Sequence, residues 1–256
     1  MKTFQKVLSI LGVSFLMLNS GCSNLPFSKD QKVENAFEKH LSIYPVKQLG
    51  DFYDMEGYRD KNFDKDDKGT WVLSSYFAEQ DGKNEPLKSK GIVLFLNRNN
   101  KTAKGNYYIE TINDDIEKNE TIEYPITVKN NKLVPKEEVS NEVKKEIENY
   151  RLIVQDESFG DLGKLKKLNS SYSEQVPLYT VDYELPKGNK INKWVRNKFS
   201  ISDEKANLFI ELTGDLRGSS SGDFKFKILY GTKGKNRKYY REKVIFQPTK
   251  EEEYGS

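Results

Sequence analysis

The sequence predicts an α+β protein: mainly an antiparallel β-sheet, with a few helices packed on it. Apolar residues alternate with polar ones in several runs, such as Leu208, Ile210 and Leu212, or Phe224, Phe226, Ile228 and Tyr230 opposite Lys225 and Lys227. Short turns join these runs, as antiparallel strands permit and parallel ones do not. Aromatic residues make up 12% of the chain, with 15 Tyr and 14 Phe, too many for a disordered polymer.

Taken in order, the elements begin with a helix over residues 30–41. Ser28 and Gln31 have capping-box spacing, and Val33, Ala36, Phe37 and Leu41 form its buried stripe. Tyr44-Pro45 ends it. Val46, Leu49 and Phe52 fit a further short helical turn before the acidic stretch Asp60–Asp67. From Gly69 the period becomes two, with Trp71, Leu73, Ser75 and Phe77 on one side of a strand. Asp81–Asn84 reads as a turn, and the unbroken apolar run Ile92–Leu96 as a strand buried on both faces. Asn97–Asn100 turns the chain into a returning strand, Gly105–Ile109. Pro125 places Ile122–Val128 at a sheet edge, because proline cannot donate to a ladder.

Val139, Val143, Ile147 and Tyr150 form a helical stripe that would cover a sheet. Leu178–Leu185 is strand-like, and Asn189 can cap a helix burying Ile191, Trp194 and Val195. The strands around Leu208, Phe224 and Tyr240 echo those around Trp71, Ile92 and Tyr107, each set after a helix. This outline admits two similar lobes, 31–135 and 150–247, within a globular body spanning 31–247. Residues 248–256 read as a disordered tail.

The N-terminus specifies location. Lys2 and Lys6 precede the uncharged, mostly apolar run Val7–Leu18, then Ser20 and Gly21 stand before Cys22. This is the layout of a secretory signal peptide, residues 1–21. As a helix the apolar run would span about 18 Å, short of a hydrocarbon core about 30 Å thick. Cys22 is the only cysteine, so no internal disulfide is available to it. Leu18-Asn19-Ser20-Gly21-Cys22 resembles a lipobox, in which cleavage after Gly21 leaves a diacylglyceryl-modified Cys22 as the new N-terminus, with 22–30 as lipidated end and spacer. Asn19 departs from that pattern, which usually has Leu three residues before the cysteine. Two acyl chains would anchor the protein durably, at about 0.8 kcal/mol for each buried methylene.

Without the first 21 residues, 40 Lys and Arg face 39 Asp and Glu, so the formal charge falls from +3 to +1. That balance calls for no nucleic acid. His40 is the only histidine, and with Cys22 lipidated the chain has neither a Ser-His-Asp triad nor a Cys-His pair nor a His-rich zinc site. Asp64, Asp66 and Gly69 match an EF-hand loop at three positions, but Lys68 and Ser75 occupy two that need oxygen ligands of the right charge. Ser202–Lys205 has S-x-x-K spacing without the partner motifs, and Gly214–Gly222 reads as a hairpin loop rather than a phosphate cradle. Lys235–Lys243 interleaves basic and aromatic residues, which suits an anionic polymer or a lipid headgroup, or simply an edge strand protected by charge. No cofactor is implied.

Tyr44–Asp60, Phe63–Trp71, Leu96–Gly105, Lys144–Tyr150, Val176-Pro177 and Leu212–Ser219 together resemble the staphylococcal tandem-type lipoproteins, also called conserved staphylococcal antigens. The resemblance implies a diacylated lipoprotein on the extracellular face of a Gram-positive cytoplasmic membrane. It also implies similarity to lipoproteins sensed by Toll-like receptor 2 and to members implicated in host-cell invasion. No enzymatic activity is established for that family, so only Cys22 carries over as a functional residue. The expected protein is a monomeric, non-catalytic binding module, with the membrane and a host cell-surface receptor as partners. One alternative is an envelope-processing enzyme using Asp64, Asp66 and Asp67; another is an envelope-polymer binder using the basic-aromatic strand. In a third, the body is only a spacer for the lipid.

Overall fold

The alternation around Trp71 becomes an eleven-residue strand, and nine more strands extend its sheet on either side. The computed structural model describes residues 33, 37, 41–57, 59, 63–173, 178–202, 205–213, 223–231 and 236–249. The first five strands are β1 (Thr70–Gln80), β2 (Leu87–Asn97), β3 (Thr102–Ile112), β4 (Glu120–Lys129) and β5 (Lys132–Pro135). Helices α1 (Asn141–Glu148) and α2 (Ile153–Asp156) follow, then β6 (Lys166–Ser173) and β7 (Leu178–Leu185). Helix α3 (Lys190–Phe199) precedes β8 (Ala206–Thr213), β9 (Asp223–Tyr230) and β10 (Arg237–Gln247). All ten strands form one antiparallel sheet in the order β5-β4-β3-β2-β1-β10-β9-β8-β7-β6.

The chain therefore starts mid-sheet, meanders out to β5, crosses to the far edge and meanders back until β10 lies beside β1. That seam pairs Thr70 with Gln247 through to Gln80 with Arg237. Segments 31–135 and 150–247 each supply five strands of this one sheet.

The apolar halves of the strands make a single core on one face. Trp71, Leu73, Ile92, Leu94 and Tyr107 meet Leu208, Ile210, Phe224, Phe226 and Tyr240 there, all essentially inaccessible. Val33 and Phe37, both helical, join this core, as do Leu49 and Phe52 from a 3₁₀ turn at Leu49–Tyr53. Trp71 can be fully buried because its Nε1–H donates to the Met55 carbonyl at 3.1 Å. Each such large side chain contributes roughly 2–3 kcal/mol on burial. The expected cap at Asn189 is in place and Ser140 supplies another, while Ser28 and Gln31 lie outside the described residues. Ser140 Oγ accepts from Val143 N at the start of α1, and Asn189 Oδ1 from Ile191 N at the start of α3.

Several expectations need correction. The Ile92–Leu96 run is covered on one face only: Ile92, Leu94 and Leu96 are buried, but Val93 and Phe95 stay half-buried on the other side. The strand carrying Pro125 is not the edge throughout. β5 pairs with residues 126–129, and Pro125 stands where that pairing stops, so its missing N–H disrupts nothing. In α3 the fully buried polar position is Asn192, while Trp194 is only half-buried. Asn192 Nδ2 donates to the Leu185 and Pro186 carbonyls, and its Oδ1 accepts from the Tyr230 hydroxyl. Of the tail, Thr249 is tied down: its N–H donates to Asp67 Oδ2 at 2.7 Å. Residues 250–256 lie outside the described residues, as do the signal segment, Gly21, Cys22, the spacer, His40, Gly214–Gly222 and Lys235.

Candidate functional site: the open face of the sheet

Side chains alternate along a strand, so the sheet that buries one face must present the other. On β10 the outward residues are Tyr239, Arg241 and Lys243; on β9 they include Lys225 and Lys227. The register sets Arg241 directly opposite Lys227, and Lys243 directly opposite Lys225. Four cations thus form a two-by-two block near the middle of the sheet. Opposed residues have Cβ atoms about 5 Å apart, and like charges in that position destabilise the pair. Along each strand the next cation is about 7 Å away.

Neighbouring strands hold these cations in place. Glu211 on β8 forms an ion pair with Lys225. Lys227 lies over the Phe209 ring at 5.8 Å, Arg237 over Tyr239 at 4.9 Å, and Arg241 Nη1 reaches the Tyr76 hydroxyl at 3.5 Å. Tyr76 and Tyr239 meet edge to face at 5.7 Å. Opposite Tyr76, Gly91 has no room for a Cβ, which would lie 2.6 Å from Tyr76 Cβ and 2.7 Å from the Tyr108 hydroxyl. Between Tyr76, Phe209, Glu211, Arg237, Tyr239 and Arg241 the surface sinks into a cleft of about 320 Å³, which Lys225 and Lys227 also line. One strand further out, burial raises the pKa of Asp182, and Lys227 only partly counters this.

The opposite face holds Glu242 and encloses it completely. Its Oε1 accepts from Val154 N at 2.9 Å and from the Tyr44 hydroxyl at 3.3 Å. Its Oε2 accepts from Ile153 N at 2.7 Å and from the Tyr240 hydroxyl at 2.5 Å. Burial pushes the carboxyl up to about 7, and the four donors act against that rise. The same burial, with Glu242 adjacent, drives the Tyr44 and Tyr240 hydroxyls well above their ordinary pKa. Tyr150 completes the group, donating to the Ser75 carbonyl at 3.0 Å. This arrangement is a clamp: it fastens α2 and the Tyr44 segment onto the β1–β10 seam.

Of the residues weighed from sequence, Asp67 serves a structural role. Burial works against its charge, but hydrogen bonds from Asn99, Gly69 and Thr249 prevail and hold its pKa below the ordinary value. Asp64 and Asp66 are exposed beside it. Among the described residues no three His, Cys, Asp or Glu side chains converge as a metal site would require, and no helix is long and apolar enough to cross a membrane. Of Ser202–Lys205, residues 203 and 204 lie outside the described residues, and Lys205 pairs with Glu184 at 3.2 Å. The basic-aromatic strand was legible in sequence, though it lies between β1 and β9 rather than at the edge its charges suggested, and so was the outward alternation of Lys225 and Lys227. What sequence reading missed was the register that sets the cations of the two strands opposite one another. A second basic cleft, about 580 Å³, lies beside α3, where Lys190, Lys193, Trp194 and Lys198 face Arg151 and Asp156. Burial lowers Lys198 there to about 8.

Fold and site together define a β-rich α+β protein with one covered and one cationic face. The chain belongs to the Csa1 family of staphylococcal lipoproteins, whose sequence profile matches residues 29–249. An uncharacterized lipoprotein of Staphylococcus aureus strain USA300 is 40% identical over 261 residues, covering 98% of this chain and all of the relative. Another, in the plc 3'region of Staphylococcus aureus, is 38% identical and covers 94% of this chain and 96% of its own. Among solved structures, LprF from Mycobacterium bovis aligns over 90% of this chain and 99% of its own at 7% identity, with a TM-score of 0.40.

Proposed function

We propose that this protein is a lipid-anchored, non-catalytic recognition module, held by a diacylated Cys22 on the extracellular face of the cytoplasmic membrane. The observation that carries the reading is the open sheet face, where a block of cations is buttressed by aromatic rings. The lipobox-like segment Leu18–Cys22 and the lipoprotein names of the relatives support the anchor. The employment of Glu242 and Asp67 as ties supports a body without catalysis. In this reading the lipid is the innate-immune stimulus, and the outer face of a monomeric body contacts the host cell surface or an envelope polymer.

The test compares the full-length protein with its Cys22→Ala variant in the producing cell. The wild type should fractionate with membranes, be shortened by the signal peptide, and be digested by protease added to cells stripped of wall. A Cys22→Ala protein that stays membrane-bound and shortened to the same length would overturn the anchor. A body that binds neither host cells nor envelope fractions would overturn the recognition role.

A further inference from the structure

We propose that the cation block on β9 and β10 binds a linear polymer carrying a phosphodiester in each repeat, laid along the strands. This rests on the reading of the open face as a recognition surface and names its ligand. Three features of this face lead to it.

The first is the like-charge pairing itself. Arg241 faces Lys227 and Lys243 faces Lys225, at positions where a stable sheet would place opposite charges or β-branched residues. Elsewhere on β10 the rule is kept, since Lys238 pairs with Glu79 of β1 at 3.4 Å. Glu211 beside Lys225, Phe209 beneath Lys227 and Tyr76 beside Arg241 hold these side chains without separating the opposed cations, and local rules broken side by side mark sites shaped for something outside the chain. An anion placed between each opposed pair converts the repulsion into two attractions.

The second is the geometry of the block. Two cation pairs about 7 Å apart along the strand direction match successive charges on one chain better than a single small anion. The cleft volume, about 320 Å³, is at the small end for ligand sites and fits one or two units of a slender polymer. Three of the four cations are lysines, which meet a tetrahedral oxyanion as point charges from any direction. A planar carboxylate would be better served by arginine forks.

The third is what surrounds the block. The large apolar side chains that the described surface exposes are Ile112, Ile116, Ile122 and Leu168, on β3, β4, their connection and β6. The block itself is bordered by Tyr76, Tyr239 and Phe209, already packed beneath cations or each other. It has no apolar wedge to push among acyl chains, so a polymer fits it better than a bilayer surface.

The test uses the full-length lipidated protein in neutral detergent, titrated calorimetrically with poly(glycerol phosphate). Dextran, inorganic phosphate, polyglutamate and vesicles of anionic phospholipid serve as comparison probes. Wild type should bind the phosphodiester polymer saturably, more tightly than any comparison probe, and lose affinity steeply between 50 and 200 mM salt, in the roughly log-linear way of counterion release. Lys227→Glu with Arg241→Glu should weaken binding at least tenfold. The same two-charge reversal at Lys190 and Lys193, on the other face, should weaken it less than threefold. Lys227→Thr, which removes a repulsion and keeps a strand-forming residue, guards against loss of fold and should still bind several-fold more weakly. Equal loss from both double reversals would show that only net charge is read, and would overturn the site. Tighter binding to polyglutamate would overturn the phosphodiester, and preference for vesicles would overturn the polymer. If polymer binding fails while host-cell binding survives in wild type, the ligand falls and the recognition module stands. If both fail, the module falls as well.

Discussion

Strand β10 carries two kinds of charge on alternating residues, and the contrast between its faces is instructive. Inward, Glu242 meets four hydrogen-bond donors from three separate segments. Outward, Arg241, its immediate neighbour in sequence, faces Lys227 across the ladder. An ionisable group kept inside the fold must be surrounded by partners from the chain itself, because in a core an unpaired ion costs several kcal/mol. A charge retained for an external partner is left against its own kind, near enough to water to be tolerated. Sequence alternation alone sorts residues into faces; which face is for folding appears only from the company each charge keeps.

The sharpest way to break this comparison is to remove the inward charge. Glu242→Ala should cost about 3–5 kcal/mol, since it strands two backbone N–H groups and two tyrosine hydroxyls in the core. Urea unfolding would read this directly, and a loss under 1 kcal/mol would deny the clamp. Glu242→Gln should be no rescue: each carboxylate oxygen accepts from a backbone N–H, and an amide can accept at only one of them.

A somewhat smaller effect concerns pH. The Glu242 carboxyl has a folded-state pKa of about 7 against a reference value of 4.5. Between those values the folded state holds a proton that the unfolded state has released, so stability falls as pH rises. This group's contribution is fully present below about pH 4.5 and lost by about pH 7, a difference of roughly 3 kcal/mol. Carboxylates with lowered pKa, such as Asp67 and Glu56, act in the opposite sense at lower pH. The signature is therefore a stability decline between pH 5 and 7 that Glu242→Leu abolishes, measured by thermal unfolding across that range.

The strands at the centre of the sheet were legible because burial on one side imposes a period of two. The edges were not. β6 is exposed along most of its length and bulges between Lys167 and Asn169, so no clean alternation survives in Lys166–Ser173. Helix α2 was illegible for a different reason. Leu152-Ile153-Val154 favours a strand by composition, yet the Glu242 carboxylate, nearly ninety residues away, captures the N–H groups that start a helical turn. β5 did leave a signal that went unread. Asn130 and Asn131, both at positive φ (51° and 60°), form the two-residue hairpin turn that asparagine favours. Asn131 also reaches back to the body, its Oδ1 accepting from Gly50 N at 3.2 Å. Asn131→Ala should thus cost about 1–2 kcal/mol, from left-handed strain and the lost bond, and should loosen β5 first. Amide exchange in 126–135 that rises before the rest of the sheet opens would show it; unchanged exchange would deny it. As for the candidate site, strand identity could be read from sequence, but the register of β9 on β10 that makes four separate cations a block could not.

The mildest prediction bears most directly on the outward face. If Arg241 and Lys227 oppose each other to the detriment of the fold, Lys227→Thr should stabilise the free protein by a few tenths of a kcal/mol, the scale of a cross-strand pair. Lys225→Thr should not, because it also dissolves the ion pair with Glu211 and leaves that half-buried carboxylate behind. The gain at Lys227 should shrink in 1 M salt, where charges more than about 3 Å apart are largely screened. Matched thermal melts of the two variants at low and high salt separate these outcomes. A destabilised Lys227→Thr would mean that its seat over Phe209 outweighs the repulsion, making Lys227 a packing residue with an ordinary structural role. A variant that is more stable and binds polymer less well would be the mark of a surface kept against the interests of its own fold.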